Sequence, residues 1–205
     1  MTSFLNAPSS QEDLCRGFLR RVIDVTGAVA GAVRLGTRDG GTLHLFVEES
    51  LPASFSEKEH CLLRGECACG EAVMRASAVV HVLGQKRLPI TITLPHCREA
   101  GFGTVAAFPI AAQHQTLGLY NLFFGEAREM AAAERHMLES LGQHLGVAIE
   151  NLRLVSKERE LAASEERSLI AQELHDSIAQ SLAFLNLQVQ MLRRALASAN
   201  AVESA

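Results

Sequence analysis

The sequence predicts an α+β domain, an antiparallel sheet with helices on one side, followed by one long C-terminal helix. Three observations carry this. Short β-rich runs alternate with glycine and proline punctuation up to about Glu126. After Met130 there is no proline, and the only glycines are Gly142 and Gly146. From Leu138 onward, apolar residues recur at steps of three and four.

Each element of the first region has its own signal. Leu14, Phe18, Val22 and Val25 form one apolar face, with Gly27 as a stop, which predicts an opening helix. Ala28 to Leu35 and Thr42 to Glu48 read as strands joined by the turn Arg38-Asp39-Gly40-Gly41. In the second strand Leu43, Leu45 and Val47 alternate with Thr42, His44 and Phe46, so one face is buried. Ser56 to Leu63 is expected to be a short helix capped by Ser56, with Glu59 three residues on. Gly70 to Ala76 reads as another helix and Val79 to Val82 as a strand. Residues 83–102 form a long loop of the kind that often binds ligands. Thr104 to Ile110 and Thr116 to Phe124 close the sheet across a polar turn.

The second region carries Leu138, Leu141, Leu145, Ile149, Leu152 and Val155. The stripe thins over Ser156 to Arg167, where seven residues are charged. It resumes with Ile170, Leu174, Ile178, Leu182, Leu185, Val189, Leu192 and Leu196. A continuous helix from Ala131 to Leu196 would be about 100 Å long. No small domain buries such a stripe along its whole length, so a partner helix is expected, most simply that of a second copy.

Composition bounds the rest. The 205 residues suit one domain plus an extension, and 48% hydrophobic content supports a real core. A net charge of −4 gives no case for nucleic acid or an anionic membrane. No apolar run approaches the ~18 residues that span a bilayer, and Met1 to Glu12 lacks the order of a signal peptide. The chain therefore reads as cytoplasmic, with residues 1–9 a flexible N-terminus. Five cysteines in such a chain point to thiols or metal ligands rather than disulfides.

The segment Glu165 to Leu182 bears the chemistry. On a helix, Asp176 and Gln180 share a face, and His175 is one step round, at the edge of the stripe formed by Leu174, Ile178 and Leu182. An exposed neutral imidazole can accept a phosphoryl group. A neighbouring carboxylate can fix its tautomer and help remove its proton. A glutamine amide can orient a water in phosphoryl hydrolysis. Taken alone, a His-Asp pair is more often an ordinary solvated helix surface.

The string Glu166-Arg167-x-x-Ile170-Ala171-x-Glu173-Leu174-His175-Asp176-x-x-x-Gln180-x-Leu182 resembles the phosphoacceptor helix of the nitrate/nitrite (NarX-type) sensor histidine kinases, whose hallmark is His-Asp-x-x-x-Gln. The resemblance covers about Ser164 to Leu196. It implies that His175 is phosphorylated, that Asp176 is the acid/base partner, and that Gln180 supports dephosphorylation of a response regulator. It implies ATP as phosphoryl donor through an ATP-binding domain that this chain lacks, so the chain alone should be inactive. It also implies a homodimer, and a parent protein anchored in the inner membrane.

The first region resembles a GAF domain. The matching stretches are Thr26-Gly27-Ala28 to Arg34-Leu35, Gly70-Glu71-Ala72, Gly101 to Ile110, Gly118 to Phe124, and the Leu141 to Leu154 helix. The implied layout is a GAF-like sensor domain over 10–155, a signalling linker over 156–167, and the incomplete first helix of a dimerisation and phosphotransfer domain over 168–205. A change in the sensor domain would alter the rotation or register of the exit helix, passed to His175 through the thinly packed linker. GAF domains bind cyclic nucleotides, tetrapyrroles, metals or nothing, so the ligand stays open. No tryptophan and a single tyrosine, Tyr120, give little support to a bilin pocket.

Cys61, Cys67, Cys69 and Cys97, with His60, His81 and His96 nearby, form the local oddity. Thiolates and imidazoles bind zinc or an iron–sulfur cluster, yet this spacing fits neither standard pattern. Free or packed thiols, redox-active thiols, and a metal site all remain open. Cys15 is expected in the core of the first helix. Arg34, Arg75, Arg87, Arg98 and His81 form a second candidate, an anion site between sheet and long loop. The rival to the kinase reading is a non-catalytic ligand-binding or dimerisation module, in which the cysteines could sense redox state or metal. No nucleophile, base and oxyanion set supports a GAF-like reductase or hydrolase.

Overall fold

The computed structural model describes residues 10–37, 41–63, 67–83, 95–113 and 115–203. The chain divides into two units, 1–153 and 154–205.

The first unit is built on a six-stranded antiparallel sheet, ordered β3-β2-β1-β6-β5-β4. Helix α1 (Gln11–Thr26) opens the chain. Ser10 caps it, its Oγ accepting from the Asp13 amide at 3.1 Å, and Gly27 ends it in the left-handed region. Strands β1 (Ala30–Gly36) and β2 (Thr42–Glu49) follow, then α2 (Ala53–Lys58), β3 (Cys61–Leu63), α3 (Ala68–Arg75) and β4 (Val79–Val82). The unit continues through α4 (Pro95–Glu99), β5 (Thr104–Ala112) and β6 (Gln115–Phe124) into α5 (Ala132–Glu203). The turn expected at residues 38–41 lies largely outside the described residues.

Helices cover both faces of the sheet, not one. On the first face, Cys15, Leu19 and Val22 of α1 and Leu138, Leu145 and Ile149 of α5 pack with Val33, Phe108, Ile110, Tyr120 and Leu122. On the second, Phe55 of α2, Ala68, Ala72 and Val73 of α3 and Cys97 of α4 pack with Ala32, Leu43, Val105, Ala107, Leu119 and Phe123. Strands buried on both sides must be apolar at nearly every position, and β5 and β6 are. The opening helix is rotated from its expected face: Cys15 is fully buried as expected, whereas Val25 is 78% exposed.

A β-bulge explains a second difference. Val33 pairs with Val47 but Arg34 pairs with Leu45, so Phe46 has no partner on β1. The extra residue shifts parity. Leu43 and Leu45 face α2 to α4, while Val47 joins α1 on the other side. Beyond β2, Ser56 does not cap a helix. Pro52 precedes α2, the Ser56 hydroxyl donates to Glu48, and Cys61–Leu63 becomes strand β3, paired with β2. The loop expected over 83–102 contains α4.

The first part of α5 lies hard against the sheet. An added Cβ at Gly142 would sit 2.3 Å from the Pro109 carbonyl oxygen, and at Gly146 2.2 Å from that of Ala111. Both obstacles are backbone, so neither can rotate aside. The Tyr120 hydroxyl donates to the Leu138 carbonyl at 2.7 Å on the same face. The second unit is the rest of α5. Leu174, Ile178 and Leu182 there are 58%, 58% and 61% exposed. No helix among the described residues is long and apolar enough to cross a membrane.

Gly146→Ala should lower stability by about 2 kcal/mol through overpacking, read as a fall in the urea midpoint. Gly17→Ala, in open space on α1, should instead stabilise by up to about 0.8 kcal/mol through helix propensity.

Candidate functional site

Two places carry chemistry. The first is α5 around His175. No proline or glycine interrupts residues 147–203, and helix formers dominate them. His175, Asp176 and Gln180 are all exposed on this helix, Asp176 and Gln180 one turn apart. The apolar stripe runs beside them, exposed from Ile170 to Val189. The imidazole is therefore open to solvent.

The second place is buried beneath α2, α3 and α4. Alternation along the strands brings Arg34 of β1 and Asn121 of β6 to the same face, since Ala32 pairs with Asn121 and Arg34 with Leu119. Arg34 is 1% exposed. Its Nη1 donates to the Glu59 carbonyl oxygen, and its Nη2 lies 3.7 Å from the Glu59 carboxylate. That carboxylate also meets His96 Nδ1 at 2.7 Å, so Glu59 ties the sheet to α4. Asn121 Nδ2 donates to Cys69 Sγ at 3.3 Å. Arg34 Nε and Asn121 Oδ1 have no protein hydrogen-bond partner.

Cys67, Cys69 and Cys97 are buried in this same cluster, whereas Cys61 is exposed on β3. Cys67 precedes the first turn of α3 and is itself the residue at its N-cap position. A hydrogen bond from Cys69 holds the Cys67 thiol down at about 7, helped by the Gly70 and Cys69 amides, against burial and the Glu59 charge. The same bond and burial push the Cys69 thiol up. Burial, with the charges of Glu59 and Cys67, pushes Cys97 up to about 12. Among the described residues no three Cys, His, Asp or Glu side chains gather to hold a metal ion.

Among the described residues, the arginines do not converge on an anion site. Arg34 is engaged by Glu59, exposed Arg75 pairs with Glu71 at 2.8 Å, and Arg98 is exposed. His81 lies 3.5 Å from Glu71, and Arg87 falls outside the described residues. Sequence reasoning passed over Asn121 and the Glu59–His96 contact. A signal for Asn121 exists: it is the one hydrogen-bonding side chain from Gly118 to Phe124 besides Tyr120. On the opposite face, a groove of about 860 Å³ runs between α1 and α5, lined by Phe18, Val22, Met137 and Leu141 among others.

Residues 8–150 match the GAF domain family. The chain belongs to that family. Beyond the GAF domain, residues 166–205 match the histidine kinase family. The chain is 29% identical over 150 residues to the sensor histidine kinase YhcY of Bacillus subtilis (strain 168), covering 70% of this chain and 38% of that protein. The chain thus spans well under half the length of that relative. The fold is similar to the GAF domain of a phosphoenolpyruvate-protein phosphotransferase from Coxiella burnetii, with a TM-score of 0.62 at 20% identity, over 74% of this chain and 89% of that one. It is also similar to the second GAF domain of DevS from Mycobacterium smegmatis, with a TM-score of 0.56 at 18% identity, over 74% and 99%. These two likenesses establish the fold.

Only a thiolate is alkylated, so the reaction of Cys67 with iodoacetamide should follow its deprotonation. Its rate should be half-maximal near pH 7 and fall as pH drops below that. Cys97 should stay unreactive to well above pH 9. Peptide mass spectrometry of timed samples reads both, and Cys69→Ala should move the Cys67 midpoint upward.

Proposed function

We propose that this chain is the sensor and transmitter portion of a two-component sensor histidine kinase, with His175 as the phosphorylated residue. The observation that carries the reading is the His175-Asp176-x-x-x-Gln180 pattern, exposed on α5 within the segment that matches the histidine kinase family. In this reading one imidazole nitrogen attacks the γ-phosphorus of ATP. The N–P bond forms as the bond to ADP breaks. Asp176 accepts a hydrogen bond from the other ring nitrogen, which keeps the attacking nitrogen's lone pair available, and takes that proton as the N–P bond forms. The phosphoryl group then passes to an aspartate of a response regulator, and Gln180 orients water for its later hydrolysis.

ATP is held by another domain of the parent protein. The exposed stripe from Ile170 to Val189 pairs with that of a second copy, giving a homodimer whose phosphotransfer helices lie in a coiled coil or bundle. The parent is anchored in the inner membrane, and its output responds to nitrate or nitrite. The resemblance of the His175 segment to the NarX-type kinases supports both points. The GAF domain supplies or relays the signal through residues 156–167.

The full-length protein given labelled ATP should acquire an acid-labile, base-stable phosphate that His175→Gln abolishes. Asp176→Asn should slow labelling by at least about 100-fold, as loss of a general acid or base does. Gln180→Ala should leave labelling within about twofold and slow dephosphorylation of the regulator. Full labelling of His175→Gln would sink the assignment.

A further inference from the structure

The face of the sheet beneath α3 contains an expense that packing does not explain. Asn121 is fully buried on β6, where its Nδ2 donates to the sulfur of Cys69 and its Oδ1 has no hydrogen-bond partner among the described residues. A buried amide that gains only a bond to sulfur is poorly compensated. Beside it the Arg34 cation, 1% exposed, exerts its charge on Cys69 and Cys97. Cys67, at the N-cap position of α3, and Cys69, in its first turn, stand one residue apart and are both buried in this cluster. The cluster thus holds two thiols one residue apart at the start of a helix, where a thiolate is favoured, and an amide that fixes where the second sulfur sits.

We propose that Cys67 and Cys69 are a redox modification site, Cys67 the nucleophile toward hydroperoxides and Cys69 the resolving thiol. The Cys67 thiolate attacks the distal oxygen of hydrogen peroxide. The S–O bond forms, the O–O bond breaks, and the hydroxide released takes a proton to leave as water. The Cys69 sulfur then attacks the Cys67 sulfenic acid. The S–S bond forms, the S–O bond breaks, and the second water departs with the Cys69 proton. Two thiols and one peroxide give one disulfide and two waters, and a cellular dithiol returns the pair to the reduced state.

Cys67 is the residue at which α3 starts, and Cys69 lies in its first turn. Joining them recasts that turn, which lies over β5 and β6 through Ala68, Ala72 and Val73. The oxidised and reduced forms therefore differ in the packing of α3 on the sheet. Cys97 feels the Cys67 charge, yet it sits on a different helix, α4. Cys61 is exposed but stands apart on β3. This inference rests on the GAF domain alone and is independent of phosphate transfer at His175.

The sequence makes the test direct. Trypsin releases Cys67 and Cys69 together in residues 65–75, Cys61 in 59–64 and Cys97 in 88–98. The reduced full chain is treated with equimolar hydrogen peroxide, blocked with N-ethylmaleimide, digested and weighed. The expected result is a 65–75 peptide that has lost two hydrogens and carries no maleimide, with Cys61 and Cys97 still blocked. In Cys69→Ser, dimedone should label Cys67; in Cys67→Ser, it should not label Cys69. The proposal is overturned by a 65–75 peptide with both cysteines blocked at complete peroxide consumption. It is equally overturned by a disulfide from Cys67 to Cys97. The wild-type digestion decides the matter even where a variant fails to fold.

Discussion

The close approach of α5 to β5 is the constraint on which the first unit depends. Gly142 and Gly146 put the helix backbone against the carbonyls of Pro109 and Ala111, closer than any side chain permits. That contact lets Leu138, Leu145 and Ile149 reach the sheet beside Cys15 and Leu19 of α1. One face of the domain is thereby closed by the first and last helices of the unit. The apolar area removed from water there, at about 25 cal/mol per Å², favours folding. The glycines themselves lower helix propensity, a cost that the packing offsets.

The other face obeys a different rule. It is covered by α2, α3 and α4, and it buries a cation, an amide and three thiols among aromatic and aliphatic side chains. Burying such groups is unfavourable unless each finds a partner. Glu59 supplies one for Arg34 and also reaches His96 on α4, so an ion pair links the sheet to the short helices. Phe55, Phe102 and Phe123 pack edge-on or tilted around the same core, with centroids 4.7 to 5.8 Å apart. The two faces thus divide the labour. One is a close contact between helix and sheet, and the other an interior that buries an arginine, an amide and three thiols.

Much of this was legible in the residues. The 3.6 repeat and the stop at Gly27 mark α1, the same repeat marks the long final helix, and β5 and β6 stand out as apolar runs on either side of a polar turn. The bulge at Phe46 was not legible. A single extra residue reverses parity without changing composition, and both Leu43 and Val47 remain buried, on opposite faces. Strand β3 was missed because three residues hold too little pattern to compete with the capping signal of Ser56-x-x-Glu59. The thiol cluster was half visible. Spacing placed Cys67 beside Cys69, but only the fold brings Cys97 into the same core and leaves Cys61 outside it. The exposure of the stripe beside His175 followed from the mismatch between the number of apolar residues and the size of one domain.

An apolar stripe exposed over residues 170–189 is the feature of the second unit that most needs a partner. A lone helix without tertiary packing is marginal in water. Hydrogen exchange over residues 154–191, measured across a dilution series alongside sedimentation, tests this most directly. If a second copy covers the stripe, amide protection around His175 should be lost in step with dissociation to monomer. Strong protection of these amides in a chain that sediments as a monomer at every concentration would contradict the account.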